Sequence, residues 1–284
     1  MFAAAPAQGL APTPTATYLP GPPLASGISK QRVTFQSDSL TLIGFLYRSS
    51  SEPSGAKLPA IIWNHGSEQN PGTGPEFDAI ADIFVPAGYV VFAPMRRGHG
   101  DSQGEYIQTT IMNYRKTHTV AQTQQFFVQQ MAGPQLDDQL AGLSYLKSQP
   151  DVDTGKLAVV GCSYGGIETL FGAEANAGYK AAVAESPGAE SWQGDTYLQT
   201  RLLQAVDHIT IPTFLLQPEG DVNTAPGYTL GQEFQKLDKP YGFEIYPPYG
   251  PTGEQGHCFG GAAGFHIWGT DVLTFLSNTL EPSS

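Results

Sequence analysis

The chain has 284 residues, 40% of them hydrophobic, with 26 Asp and Glu against 14 Lys and Arg, for a formal net charge of -12. That balance argues against nucleic acid or anionic membrane as a partner, because gripping phosphate needs a basic face. No apolar run approaches the ~18 residues that a membrane span requires, and the length suits one well-buried domain.

Residues 1–29 are rich in Ala, Pro and Thr without hydrophobic period, and are expected to form a disordered tail. Ala3-Ala4-Ala5-Pro6-Ala7-Gln8 fits the remnant of a signal-peptide cleavage region, which points to a secreted or periplasmic protein, with the cytoplasm as the alternative. Residues 30–284 then form one domain. Residues 32–36 and 40–47 predict an antiparallel pair around Ser37-Asp38-Ser39, and Ala60-Ile61-Ile62-Trp63-Asn64 a buried strand. Residues 75–87 predict a helix with proline at its start, and 89–93 a strand. The Gln- and Thr-rich stretch 103–133 does not fit the minimal plan. With Ile107, Ile111, Met112, Phe126 and Phe127 as apolar members, it predicts a helical insertion beside the pocket, or surface helices packed on the body. Beyond it come helices at 136–148, 166–175 and 269–280 and strands at 157–160, 181–184, 211–217 and 241–246. The alternation implies an α/β fold, a mostly parallel sheet with helices on both faces.

The chemistry concentrates after the strand at 157–160, where Gly161-Cys162-Ser163-Tyr164-Gly165-Gly166 reads as G-x-S-x-G. A sharp strand-to-helix turn of this kind lifts one hydroxyl above a sheet and tolerates only small neighbours, which makes Ser163 the candidate nucleophile and Cys162 a bystander. A serine hydroxyl needs an imidazole to take its proton and a carboxylate to orient that ring. His257, in a Gly-rich loop after the 241–246 strand, is the candidate base, with His266 as its rival. Asp221, in the loop after the 211–217 strand, is the candidate acid, with Glu219 as its rival. The backbone amides of Tyr164 and Ser67 are the candidate oxyanion donors, with Glu68 possible in place of Ser67. Trp192 and Glu68 are candidate substrate contacts, and Tyr197 and Leu198 lie in the same short insert as Trp192. The six histidines are too scattered for a metal set. His65 and His99 read as structural hydrogen-bonding groups, Arg97 as a tie to loop carbonyls, and Asp137 and Asp138 as favourable charges at a helix start.

Asn64-His65-Gly66, Arg97-Gly98-His99-Gly100-Asp101-Ser102, the Ser163 motif, Gly220-Asp221 and Gly256-His257-Cys258-Phe259-Gly260 together resemble an α/β-hydrolase over roughly residues 30–280. The similarity is nearest to the dienelactone-hydrolase-like and prolyl-oligopeptidase-like esterase branch. Two departures stand out: dienelactone hydrolases use cysteine where this chain has Ser163, and oligopeptidases place a propeller before the hydrolase. The resemblance implies a serine carboxylic-ester hydrolase acting through an acyl-enzyme on a small-molecule ester, without cofactor or metal. A peptidase or amidase with the same residues, or a binding protein on the same scaffold, are the alternatives. Cys162 and Cys258 flank the nucleophile and the base, and either a disulfide or two buried thiols is compatible with that placement.

Overall fold

In a computed structural model the described residues are 24–51, 55–73 and 76–280. The tail expected over 1–29 falls mostly outside them, as does Pro75. One eight-stranded sheet organises the chain: β1 (Ile28–Ser37), β2 (Leu40–Ser49), β3 (Leu58–Asn64), β4 (Val90–Met95), β5 (Val152–Cys162), β6 (Ala181–Glu185), β7 (Thr213–Pro218) and β8 (Tyr241–Tyr246), in the spatial order β1-β2-β4-β3-β5-β6-β7-β8. β1 with β2 and β2 with β4 run antiparallel, and every other pairing is parallel.

The burial of the strands explains why they read as near-continuous apolar runs. All residues of β4, β6 and β7 are buried, as expected of parallel strands covered on both faces, whereas the edge strand β1 alternates towards its end. Side chains leave a strand on alternate faces, so Leu157 and Val159 enter one core and Ala158 and Val160 the other. The first core is closed by α4 (Leu136–Lys147), α5 (Tyr164–Glu174), α6 (Thr196–His208) and α7 (Ala225–Lys236). The second is closed by α1 (Glu76–Phe84) and α9 (Phe265–Leu280). In α9 the buried Phe265, Trp268, Val272, Leu276 and Leu280 follow helical spacing. No helix among the described residues is long and apolar enough to cross a membrane.

The expected insertion is helical. It comprises α2 (Ile107–Arg115) and α3 (Val120–Gln130), the latter begun by a Thr119–Gln122 capping box. α3 does not end in a loop. It passes through one wide π turn, Met131–Gln135, straight into α4. Pro134 has no N–H to give to the preceding turn, and the wider turn absorbs that missing bond.

Several boundaries differ from expectation. β1 begins at Ile28, which pairs with Ser49, four residues before the predicted start. α1 stops at Phe84, because the chain turns ahead of Gly88 at φ +91°. α9 begins at Phe265 instead of 269, since Phe265 and Trp268 are already core residues. Arg97 ties down carboxylates, not carbonyls: its N–H, Nε and Nη2 donate to Asp138 at 2.7, 2.9 and 2.7 Å, and Nη2 also reaches Asp38. Asp138 is accordingly no helix-dipole charge. α4 has no free N-terminus to complement, and the carboxylate is buried, accepting from the Ser37 hydroxyl as well.

Asp138 thus joins the β1–β2 turn, the loop after β4 and α4. Asp138→Ala leaves the partly buried Arg97 guanidinium with only the exposed Asp38 carboxylate and strands the Ser37 hydroxyl, and should lower stability by about 3 kcal/mol. The urea midpoint should fall at unchanged m-value.

Candidate active site

Between β5 and α5 the backbone turns sharply, with Ser163 at φ +56° and ψ −118°. Only close packing on every side sustains such a conformation. A Cβ on Gly161 would lie 2.6 Å from the Gly165 carbonyl and 2.7 Å from that of Asn64; one on Gly165 would run into the Asn64 carbonyl; one on Gly166 would lie 2.7 Å from the Glu185 carbonyl. The glycine spacing is therefore dictated by β3 and β6 passing on either side. The Ser163 N–H donates to the Glu185 carbonyl at 3.0 Å, fixing the turn to β6.

Ser163, His257 and Asp221, which come from three separate segments, form one hydrogen-bonded chain. His257 Nε2 lies 2.8 Å from Ser163 Oγ, and His257 Nδ1 lies 2.8 Å from Asp221 Oδ1. Asp221 is held in turn: Oδ1 accepts from the Val222 N–H and Oδ2 from Gln217 Nε2, both at 2.7 Å. With Nδ1–H donating to the carboxylate, Nε2 is left to accept the serine proton. Burial works against a charged ring at His257, but the bond to Asp221 and the negative charges of Asp221 and Glu190 outweigh it and raise its pKa above the ordinary value. Of the two rivals, Glu219 is exposed and His266 lies exposed on α9, so neither joins this chain.

Behind this group the loop at residues 65–69 is anchored through its carbonyls. Arg96 Nη2 donates to the His65 and Gly66 carbonyls at 2.9 and 2.6 Å, the Tyr106 hydroxyl to Ser67 at 2.6 Å, His99 Nδ1 to Glu68 at 2.8 Å and the Gly100 N–H to Gln69 at 2.7 Å. A planar trans peptide points its C=O and N–H in opposite directions. Securing the Gly66 carbonyl on Arg96 therefore turns the Ser67 N–H away from Arg96, and Ser67 lines the pocket. Tyr164 opens α5, so its N–H has no acceptor within the helix. His65 accepts from the Arg96 N–H through Nε2. Burial, with Arg96 and His99 nearby, lowers its pKa well below the ordinary value, and burial with Arg96 brings His99 down to about 3. Both rings are neutral hydrogen-bonding groups.

The pocket over Ser163, a cavity of about 60 Å³, is lined by Ser67, Gln108, Phe127, Tyr164, Ile167 and Glu190, among others. Gln108 and Phe127 place the insertion at its wall. Trp192, expected to touch substrate, is buried in the core, as is Leu198, while Tyr197 points outward; their neighbours Glu190 and Ser191 reach the pocket instead. Glu68 turns away from it. Its carboxyl pairs with that of Glu76, which also accepts from Trp63 Nε1 at 2.6 Å and whose pKa is raised well above the ordinary value by burial and by Glu68. Arg96, Tyr106 and Glu190 escaped the sequence reading, since each acts on a segment remote in sequence, and so did Gln217, which reaches Asp221 only four residues on but sits in a strand that reads simply as an apolar run. The Arg96-Arg97 pair was the available signal, and only its second member drew attention.

Cys162 and Cys258 form a disulfide, Cα atoms 6.1 Å apart. Their sulfurs and the Glu185 carboxyl lie within 4.8 Å of one another. This is no donor set for a cation in the bonded state, because the sulfurs are joined and the Glu185 pKa is pushed well above the ordinary carboxylate range, first by burial and then by Asp221.

The family model for X-Pro dipeptidyl-peptidase (S15 family) matches residues 39–239. Mouse dipeptidyl peptidase 8 is 26% identical over 249 residues, covering 79% of this chain and 26% of that protein, so the chain spans about a quarter of the length of the curated relatives it matches. Among solved structures, the acylaminoacyl peptidase of Pyrococcus horikoshii superposes with a TM-score of 0.66 at 15% identity, over 92% of this chain and 43% of that one. The Pyrococcus furiosus esterase gives 0.65 at 14% identity, over 94% and 99%. Est1E of Butyrivibrio proteoclasticus, solved with ferulic acid bound, gives 0.63 at 18% identity, over 87% and 98%. These structures share the fold, and the family match covers more than half the sequence: the chain belongs to the S15 X-Pro dipeptidyl-peptidase family and has the α/β-hydrolase fold.

Proposed function

We propose that the chain is a serine carboxylic-ester hydrolase that works through an acyl-enzyme on small neutral or cationic esters. The observation that carries this reading is the pair of 2.8 Å contacts linking Ser163 Oγ, His257 and Asp221 at the floor of the pocket. In the first half-reaction His257 Nε2 takes the Ser163 proton as Oγ attacks the ester carbonyl. Asp221 keeps the proton on Nδ1 and balances the imidazolium. The Ser67 and Tyr164 amides receive the negative oxygen, and His257 returns the proton to the departing alcohol. Water then repeats the sequence on the acyl-enzyme.

Est1E and the P. furiosus esterase, named as a ferulate-binding protein and an esterase, are each matched over nearly their whole length. This supports ester chemistry within the compass of such a chain. The family description and dipeptidyl peptidase 8 favour a second reading, peptide hydrolysis by the same residues. Comparing p-nitrophenyl esters with X-Pro p-nitroanilides decides between them: the ester reading expects the higher kcat/KM on the esters, and the reverse order would make the protein a peptidase. Fluorophosphonate that fails to label Ser163 would leave a binding protein. The disulfide supports an oxidising compartment, in keeping with a secreted or periplasmic protein.

Ser163→Ala should lower kcat by on the order of 10⁴ to 10⁶, and Asp221→Asn by roughly 10³ to 10⁴ with the circular dichroism unchanged. Glu219→Gln should leave kcat nearly intact; if it is the more damaging change, the acid is misassigned.

Attack needs neutral His257, whose pKa is raised, so kcat/KM should climb with pH through a midpoint above about 6.5. Glu190 contributes to that rise, and Glu190→Gln should therefore move the midpoint down. Glu190 is also the one charged residue lining the pocket among those described, without an ion-pair partner there. A succinate monoester should react roughly tenfold slower than the matching butyrate ester, and Glu190→Gln should narrow that gap. Rates of both esters from about pH 5 to 9 measure the two effects together.

A further inference from the structure

Ser163 and His257 are 94 residues apart in sequence, yet the residues beside them are covalently joined. The two ends of that bridge differ in rigidity. Cys162 closes β5 and pairs with Glu185 of β6, in the middle of the sheet. Cys258 belongs to the irregular segment His257–Ala263, in which Cys258, Phe259, Gly260 and Gly261 all have positive φ, at 50°, 50°, 69° and 66°. Two of these are side-chain-bearing residues in the left-handed region, a conformation that persists only where the surroundings impose it. Phe259 supplies part of that constraint, being buried against Tyr246 and Tyr249. On the Cys258 side, directly next to the base, the disulfide is the tie to the sheet.

We propose that the Cys162–Cys258 bridge is the positioning element for His257, and that a dithiol reductant, by opening it, disengages the base from Ser163 while leaving the fold in place. This rests on the reading of Ser163 as nucleophile and His257 as base. Cys258 is partly exposed and Cys162 is 5% exposed, so the entering thiolate meets Cys258. It forms a bond to Cys258 Sγ, the S–S bond breaks, and its electron pair leaves with Cys162 Sγ, which takes up a proton. The second thiol of the reductant attacks the mixed disulfide and releases Cys258. One dithiol becomes a cyclic disulfide, and its two hydrogens end on the two cysteines. With the bridge open, Cys258 and Phe259 relax towards negative φ, and His257, one residue away, loses its aim at both Ser163 and Asp221.

The test uses the oxidised full chain, incubated with dithiothreitol under native conditions until two free thiols per chain are counted. Steady-state kinetics on a p-nitrophenyl ester are followed beside far-ultraviolet circular dichroism. The expected result is a fall in kcat of about a hundredfold, with KM changed little. The dichroism should stay unchanged, and activity should return on reoxidation. The acid-side midpoint of the residual activity should move down, because His257 loses the carboxylate that raises its pKa. A bridge that serves stability alone would lower the thermal midpoint without moving that pH midpoint. Cys162→Ala/Cys258→Ala should show the same low kcat, unaffected by the dithiol. Reduced protein with two counted thiols that keeps kcat within about twofold and the same pH midpoint would overturn the proposal, as would loss of the dichroism signal on reduction. Oxidised protein that neither turns over an ester nor takes fluorophosphonate at Ser163 would instead overturn the hydrolase reading, and the proposal with it.

Discussion

Ser163 occupies a backbone conformation that L-residues avoid, and much of the molecule is arranged to hold it there. β3 and β6 crowd the turn so closely that Gly161, Gly165 and Gly166 admit no side chain. Relieving the strain would mean separating β5 from both neighbours at the centre of the sheet, where the fold is least able to yield. The hydroxyl therefore stands still while its partners come to it. Asp221 and His257 arrive on loops from the carboxyl ends of β7 and β8, the side on which open α/β sheets gather their sites.

Charge is distributed in a consistent way around that turn. The groups beneath and behind it are buried: Glu185, Glu76, His65 and His99 have all been shifted towards their uncharged forms, chiefly by desolvation. Of the charges that remain, Arg97 is paired with Asp138 and Arg96 is spent on the loop carbonyls. His257, beside Asp221, is the exception among these rings, its pKa raised instead of lowered, and it is the ring that accepts a proton in the proposed mechanism.

The catalytic side chains proposed here were legible because each sits in a short motif whose glycines are demanded locally, around Ser163, before Asp221 and around His257. The alternation of apolar runs likewise revealed the sheet and its two covered faces. What escaped notice depends on distance. Ser37 and Asp138 are 101 residues apart, and nothing near either announces their hydrogen bond. Arg96 looks in sequence like its neighbour Arg97, yet one serves loop carbonyls and the other a buried carboxylate. Trp192 was a reasonable choice for a pocket wall on size alone. The turn after β6 faces Glu190 to the opening and the indole to the core, an orientation that composition cannot encode. Helix ends slipped for a similar reason, since Phe265 is helical on account of what it packs against.

The π turn at Met131–Gln135 makes α3 and α4 a single bent rod. One arm carries Phe127, a wall of the pocket; the other carries Asp138, which grips Arg97, and the preceding residue, Arg96, fastens the loop that holds Ser67. The insertion therefore cannot swing like a flap on two strings. On the proposed ester mechanism, a bulky acyl group pressing the wall outward would load the rod and, through Asp138 and Arg97, the loop that carries Ser67. Pocket width and donor alignment would then be geared together, so selectivity for acyl size would be felt in the rate of the chemical step as well as in the fit of the substrate.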